Sequence, residues 1–419
     1  MTTLSPEQQL ALEAVASGRS VFLTGPGGTG KSFAVNAILA ETGRDARMTA
    51  STGIAASHIG GCTVHSYLGT GLAGTIEEAA KVTPFSEPRL RARFRSTELL
   101  VLDEISMLSG EYLDMMDHWM RRYGVHPDLP FGGVQLLITG DFLQLPPVQR
   151  GTKRKPLKQF AFDADAWAGA EFETHQLTRS FRQADQAFVD ALNDLRLGHA
   201  TPHMTRTFEP CVQRKLLDPT YLVGRNKTAR IINAQRLARL CVEQKQSPVS
   251  YRAETWGTTT FAVDGIRKHC LADENLTLAP GAPVLLLTND RAGRWVNGTR
   301  GTVTDASLGK LIVDIDGYSY QVEPHTWEMR DGDGHQAATL RQLPVKPAWA
   351  ITIHKAQGMS LDNVLVHNRG GEIFDSGQLY VALSRARRLE GLSLTQPIRA
   401  AQVSAHPRAV EFYTNQKRN

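Results

Sequence analysis

Cysteine is scarce in this chain. The four residues Cys62, Cys211, Cys241 and Cys270 stand far apart and form no C-x-x-C pair. That spacing argues against a zinc ribbon or a disulfide scaffold and fits a reducing compartment. Long apolar runs are also missing: none approaches the roughly 18 residues needed for a membrane helix. The opening MTTLSPEQQLALEAV lacks the basic-then-apolar order of a secretory signal. No internal repeat and no low-complexity linker is present. Excess charge of either sign is small, with 47 basic against 42 acidic residues and a formal charge of +5. Such a balance permits an anionic partner without requiring one. The expectation is a cytoplasmic protein with no membrane contact.

What is present is enough chain for more than one core. The 419 residues are 41% hydrophobic and 21% charged, the balance of a globular protein. Short apolar runs followed by turn residues and helical patterns recur: VFLTG at Val21–Gly25, LLVLDE at Leu99–Glu104 and VQLLITGD at Val134–Asp141. Near-continuous apolar strands alternating with helices predict an α/β fold with parallel sheets covered on both faces. A second block of this kind comes late, with NVLVH at Asn363–His367 and a helical pattern over Ser376–Arg388. Between the blocks, from about Thr258 to Trp327, turn-rich β-type runs predict a small inserted antiparallel barrel. A shorter insertion spans roughly Gly69–Thr97.

The strongest local signal is GPGGTGKS at Gly25–Ser32, a full G-x-x-x-x-G-K-S with a strand entering and a helix leaving. Gly25, Gly27, Gly28 and Gly30 let backbone amides wrap phosphates, with Thr29 in the same loop, and the helix N-terminus adds partial positive charge. Lys31 is placed to reach the β and γ phosphates of ATP, and Ser32 to ligate Mg2+. A glycine-rich turn without catalytic meaning is the ordinary alternative; the full match and its context weigh against it. In LLVLDE, Asp103 at a strand end is the second candidate metal ligand, and Glu104 the candidate base for the attacking water.

Three further segments bear on hydrolysis. GDFLQLPPV at Gly140–Val148 offers Gln144 to the γ-phosphate and the lytic water. LTRSFRQ at Leu177–Gln183 and ALSRARR offer Arg182 and Arg385 as arginine fingers. A guanidinium on the transferring phosphoryl group is worth about 10³–10⁵ in rate. Taken singly, each arginine could instead belong to a solvated helix face or a surface pair.

DEISML, GDFLQLPPV, TIHKAQGMSLD at Thr352–Asp362 and YVALSRAR at Tyr380–Arg387 resemble superfamily 1 helicases, and most of all the petite-integration-frequency (PIF) family of superfamily 1B, related to RecD and Dda helicases. The likeness runs from Gln8 to about Leu392, and GRWVNGTRGTV at Gly293–Val303 resembles the opening of that family's SH3-like insert. The resemblance implies two RecA-like parallel-sheet domains with a small wedge insertion and an SH3-like β-barrel insertion. Residues 1–175 would form domain 1A with its insertion at about 69–97, residues 176–245 with 343–419 domain 2A, and 246–342 the inserted domain 2B. It also implies 5′-to-3′ translocation and DNA unwinding driven by ATP, with Gln8 reading the adenine edge and Gly358 near the nucleotide.

TASTGIAASHIGG and CTVHSYLG match that family's early DNA-contacting motifs. Thr52, Gly53, Thr63, His65 and Ser66 could bind phosphates without reading sequence, as could His354, Lys355 and Gln357 in TIHKAQG. His65 alone would more often be a satisfied histidine, and Phe142 reads as core. RLRARFRS at Arg89–Ser96 has four arginines at alternate positions, which either track a phosphate backbone or solvate a β-edge. DGDGH at Asp331–His335 reads as a tight turn, since the later glutamate of a calcium loop is missing. The expected partners are single-stranded DNA and single-strand/duplex junctions, for a monomeric motor that would be nucleoid-associated in a prokaryotic or phage setting. An RNA helicase or nucleoprotein remodeller is the enzymatic alternative, and a non-catalytic ssDNA-binding module the alternative of another class. A metabolic kinase would leave TIHKAQG and YVALSRAR without a role.

Overall fold

The computed structural model describes residues 4–52, 55–56, 59–70, 73, 75–82, 87–147, 158–290, 292–295, 298–330 and 336–416. Gly53 and the DGDGH turn lie outside the described residues. The chain divides into two compact units, Met1–Asp218 with Ile353–Asn419, and Pro219–Thr352. Among the described residues no helix is long and apolar enough to cross a membrane.

The first unit is built on six parallel strands: β1 (Val21–Thr24), β2 (Ala46–Ala50), β3 (Cys62–Thr63), β4 (Leu99–Asp103), β5 (Gln135–Gly140) and β6 (Glu173–Gln176). Their order is β3-β2-β4-β5-β1-β6. Alternate residues of the same strands feed two cores, as period-two geometry requires. Val21, Leu23, Leu99, Val101 and Leu137 pack on helices α1 (Pro6–Ala16) and α2 (Lys31–Thr42) through Ala11, Val15, Val35 and Ile38. Phe22, Leu100, Leu102, Leu136 and Ile138 face the other way, onto Leu113, Met116, Trp119 and Met120 of helix Gly110–Tyr123. The near-continuous apolar runs therefore mean what they were read to mean, strands buried on both faces. Each fully buried Val, Leu or Ile side chain contributes about 1.5–3 kcal/mol by leaving water.

The first insertion is helical, with helices Ile76–Val82 and Glu87–Arg95. The β-edge reading of RLRARFRS is thus corrected. Leu90 and Phe94, four apart, are buried on one helix face, and the alternating arginines masked that spacing. Arg91 pairs with Glu87 one turn back, and Arg93 donates to the Ser66 and Tyr67 carbonyls.

Later in this unit, Val364–Val366 pairs in parallel with Leu392–Leu394. The helix expected over Ser376–Arg388 is shorter, Gln378–Leu383. Beyond it the backbone turns, and the Ala386 strand position bridges Leu361, so Arg385, Arg387 and Arg388 are not on a helix. Helix Pro407–Gln416 closes the described chain and buries Ala409 and Tyr413 in the same core as Phe142.

In the second unit, Thr220–Val223 and Ala350–Thr352 form a parallel pair covered by helix Asn226–Glu243. The inserted segment holds a five-stranded antiparallel sheet in the order 318–321, 310–315, 300–307, 283–286, 345–347. Its core includes Val284, Leu286, Trp295, Val303, Leu311 and Val313. One element departs from the β-type expectation: Thr260–His269 is a helix, capped by the Thr259 hydroxyl, with Ala262 and Ile266 buried one turn apart.

Candidate nucleotide-hydrolysis site

Strand β1 ends at Thr24, and the loop from Gly25 to Gly30 opens directly into α2. Gly30 caps that helix in the left-handed region with no side-chain hydrogen bond, and no acid sits in the first turn. The N-terminal amides of α2 are therefore left for an anion. Gly28 has φ +88, and a Cβ there would lie 2.6 Å from Arg182 Cβ, so only glycine lets the loop and that arginine meet. Lys31 is half-buried and bends back, its Nζ donating to the carbonyls of Gly25 at 2.7 Å and Pro26 at 3.0 Å. Burial lowers its proton affinity, while Asp141, Glu104 and Asp103 work in the opposite direction. Thr29 is buried and donates to the Pro26 carbonyl, whereas Ser32 is exposed at the helix start.

Strand β4 delivers the acidic pair. The Asp103 carboxylate accepts from the Thr139 hydroxyl and, at 2.9 Å, from the Glu104 amide. Glu104 itself occupies the left-handed region at φ 55. Burial, then the neighbouring Asp103 charge, raises its proton affinity above that of an ordinary glutamate. A carboxylate in that state is suited to taking a proton from water. Gln144 follows β5 on a turn held by its own amide donating to the Asp141 carbonyl at 3.0 Å. Its Oε1 is buried with no hydrogen-bond partner among the described residues, and so is Gln357 Oε1.

The two candidate arginines converge on the loop. A Cβ on Gly27 would lie 3.2 Å from Arg385 Nη2 and 3.6 Å from Arg182 Nη1. Arg385 is 1% exposed and donates only to neutral acceptors among the described residues: Val381 carbonyl at 2.9 Å, Met359 carbonyl at 3.3 Å and Ser384 hydroxyl at 2.8 Å. Arg182 donates to the Ser384 carbonyl at 3.0 Å. Burial, and then the neighbouring Arg182, push the Arg385 guanidinium down to about 9, and burial lowers that of Arg182. Both still carry charge at neutral pH. A buried and a half-buried cation side by side at a glycine-rich loop favour an anion between them. The solvated-face alternative for Arg385 is thereby overturned.

Several participants were not legible beforehand. The Tyr380 hydroxyl accepts from the Gly27 amide at 2.8 Å. Gln183 Nε2 donates to the Ser384 and Ala386 carbonyls, tying LTRSFRQ to the Arg385 turn. The Phe181 amide donates to the Gly28 carbonyl at 2.8 Å, and its ring, 55% exposed, would touch a Cβ on Gly30 at 3.5 Å. An aromatic flanked by arginines in SFRQ was the one signal for it.

Gln8 lies beside the same glycine. Its Oε1 accepts from the Ser5 amide in a capping box, and Nε2 donates weakly to the Gly30 carbonyl at 3.5 Å. Gly358 is exposed with φ +84, next to Gln357.

The strand-contact candidates are distributed differently. The Thr63 hydroxyl caps helix Val64–Leu68 by accepting from the Ser66 amide, and Thr52 accepts from the Ala55 amide. Ser66 is exposed, and the half-buried His65 ring lies 4.6 Å from that of Tyr112. His354 and Lys355 are half-buried on helix Ile353–Ala356, and burial lowers the proton affinity of His354. Gln357 departs from this group: it is buried, and its Nε2 donates to Glu104 Oε2 at 2.9 Å. Phe142 is core, as read from the sequence.

Comparisons with known proteins place the chain in a family. Residues 3–205 match the model of the PIF1-like helicase family, and residues 347–392 that of the UvrD-like helicase C-terminal domain. The ATP-dependent DNA helicase PIF1 of Xenopus laevis is 37% identical over 98% of this chain, which spans 64% of that relative's length. The ATP-dependent DNA helicase Pif1 of Bdellovibrio bacteriovorus is 34% identical, with 98% of this chain and 91% of the relative covered. The crystal structure of Pif1 helicase from Candida albicans superposes with a TM-score of 0.89 at 33% identity, covering 99% of this chain and 100% of that one. Pif1 helicase from Bacteroides in complex with ADP-AlF3 and ssDNA gives 0.84 at 29% identity, covering 100% and 98%. The fold is α/β with RecA-like parallel-sheet domains, and the chain belongs to the PIF1-like helicase family.

Proposed function

We propose that this chain is an ATP-dependent DNA helicase that translocates 5′ to 3′ on single-stranded DNA. The observation that carries the reading is the pair of guanidiniums, buried Arg385 and half-buried Arg182, set against the phosphate-binding loop. In hydrolysis, the loop amides and Lys31 hold the β and γ phosphates of ATP. Glu104 accepts the proton of the attacking water, and Gln144 Oε1, a buried acceptor awaiting a donor, orients it. Arg182 and Arg385 then meet the charge that spreads over the transferring phosphoryl oxygens. Ser32 and Asp103 are the hard oxygen donors suited to Mg2+, which when bound neutralises charge on the phosphates. The donors to Asp103, Thr139 and the Glu104 amide, hold its carboxylate in place for that role.

Phe181 is the platform for the adenine, beside Gln8, because it is an exposed ring fastened to the loop by its own backbone. Phe181→Ala is expected to raise the KM for ATP about 10-fold, with kcat little changed, in keeping with about 1–3 kcal/mol for base stacking on an aromatic. Steady-state kinetics check this, and an unchanged KM removes Phe181 from the site.

Residues 1–175 act as domain 1A, 176–245 with 343–419 as domain 2A, and 246–342 as domain 2B. The ends of β6 at Gln176 and of the first sheet with it support the first border. Thr52, Thr63, His65, Ser66, His354 and Lys355 contact phosphates of a single strand without reading sequence. The protein works as a monomer at single-strand/duplex junctions. The test is unwinding of matched duplexes: a 5′-tailed one is opened with ATP, and a 3′-tailed one is not. Opening of the 3′-tailed duplex alone reverses the polarity, and preference for ribose tails points to RNA.

A further inference from the structure

The sequence motif TIHKAQG groups Gln357 with His354 and Lys355 as a strand contact, but its side chain faces the catalytic acid. Its Nε2 donates to Glu104 Oε2 at 2.9 Å, Gln357 is buried and Glu104 half-buried, and the Gln357 Oε1 has no partner among the described residues. The residues that follow grip the arginine. The Met359 carbonyl accepts from Arg385 Nη1 at 3.3 Å, the Leu361 amide donates to the Arg385 carbonyl at 2.9 Å, and the Arg387 amide returns to the Leu361 carbonyl at 3.1 Å. Residues 357–361 therefore hold the Glu104 carboxylate through Gln357, the Arg385 guanidinium through Met359 and the Arg385 backbone through Leu361.

We propose that Gln357 is a positioning residue for ATP hydrolysis, its amide fixing the Glu104 carboxylate while the same short segment fixes Arg385. The inference rests on the helicase reading above and adds how the site is set. Glu104 stands on a left-handed backbone just past the end of β4, and among the described residues the Gln357 amide is a direct donor to its carboxylate. One donated hydrogen bond fixes one oxygen, and the other is left to face water. Because helix Ile353–Ala356 carries His354 and Lys355 immediately upstream, a strand bound there acts on the segment that sets base and arginine together.

The experiment compares Gln357→Met, which fills the space without a donor, and Gln357→Glu, which keeps the shape and places a second carboxylate beside Glu104. Basal and oligodeoxynucleotide-stimulated kcat, KM for ATP, oligodeoxynucleotide affinity and the thermal midpoint are measured on the intact chain. Both variants are expected to lose about 10–100-fold in kcat, with KM and oligodeoxynucleotide affinity within about two-fold of the parent, because misplacing a reacting group by roughly 1 Å costs on the order of 10²-fold. A Gln357→Met variant with parental kcat overturns the proposal. So does a rate loss matched by an equal loss of oligodeoxynucleotide affinity, which would return Gln357 to the strand track. If the parent hydrolyses ATP but ignores DNA, the helicase reading fails, while the effect of the variants on the basal rate still decides the role of Gln357.

Discussion

Arg385→Ala is expected to slow DNA-stimulated ATP hydrolysis by about 10³–10⁵-fold, the range found when a guanidinium is removed from the transferring phosphoryl group. The reason is positional. Arg385 is held by three neutral acceptors from Val381, Met359 and Ser384, so its charge is not spent on a protein carboxylate through a hydrogen bond. That charge is available to the phosphates, and it is desolvated, which strengthens its effect there. Arg385→Lys should recover little of the rate, because a point charge on a flexible stem cannot keep the three-way grip of the planar fork. Nucleotide binding should persist through the loop and Lys31. The check is kcat with and without ssDNA, beside ATP affinity from a fluorescent analogue. A variant within about 10-fold of the parent would remove Arg385 from the chemistry.

The second large effect is on stability. Asp141 is fully buried and receives Arg196 twice, Nε to Oδ2 at 2.9 Å and Nη2 to Oδ1 at 2.8 Å. Burial works against both charges, but the pair prevails: Asp141 stays below the usual carboxylate range and Arg196 above its own. Tyr413 completes the group. Its ring lies under the Arg196 guanidinium at 5.2 Å, and its hydroxyl accepts from the Phe142 amide at 3.1 Å and shares a 2.6 Å hydrogen bond with Thr24. Thr24 precedes the phosphate loop, and Asp141 begins the turn to Gln144, so the group secures both entrances to the site.

Removing one partner of such a pair strands a buried charge at a cost of about 3–5 kcal/mol. Arg196→Met is therefore expected to lower the thermal midpoint by roughly 10 °C. The double variant with Asp141→Asn should regain part of that loss, since no uncompensated charge remains. The sign with pH follows from the depressed Asp141 value. Its contribution is complete above the unfolded carboxylate value of about 3.9 and is lost as pH falls through the lower folded one. A melting temperature unchanged by Arg196→Met would contradict this account.

These two predictions differ in how far the sequence announced them. Arg385 could be picked out because phosphate chemistry demands a backbone loop, a lysine, an acidic pair and late arginines in an order the chain displays. The same logic made the buried strands legible, since Val21, Phe22 and Leu23 must feed two cores if both faces are covered. Arg196 and Tyr413 carried no such signal. Their partner Asp141 is 55 and 272 residues away, and only the folded chain brings them together. Local pattern also misled in places. Four alternating arginines hid a helix whose apolar side is only Leu90 and Phe94. A polar motif grouped Gln357 with the strand contacts, and the fold sets its amide on Glu104. In each case a short-range rule was outweighed by a tertiary contact the rule does not contain.

The central claim is that ATP turnover answers to a polynucleotide, and a single titration tests it. Hydrolysis by the intact chain is followed as an oligodeoxynucleotide is added at fixed ATP. The predicted result is a steep, saturable rise from a low basal rate. A rate that stays the same at every concentration of oligodeoxynucleotide would contradict it.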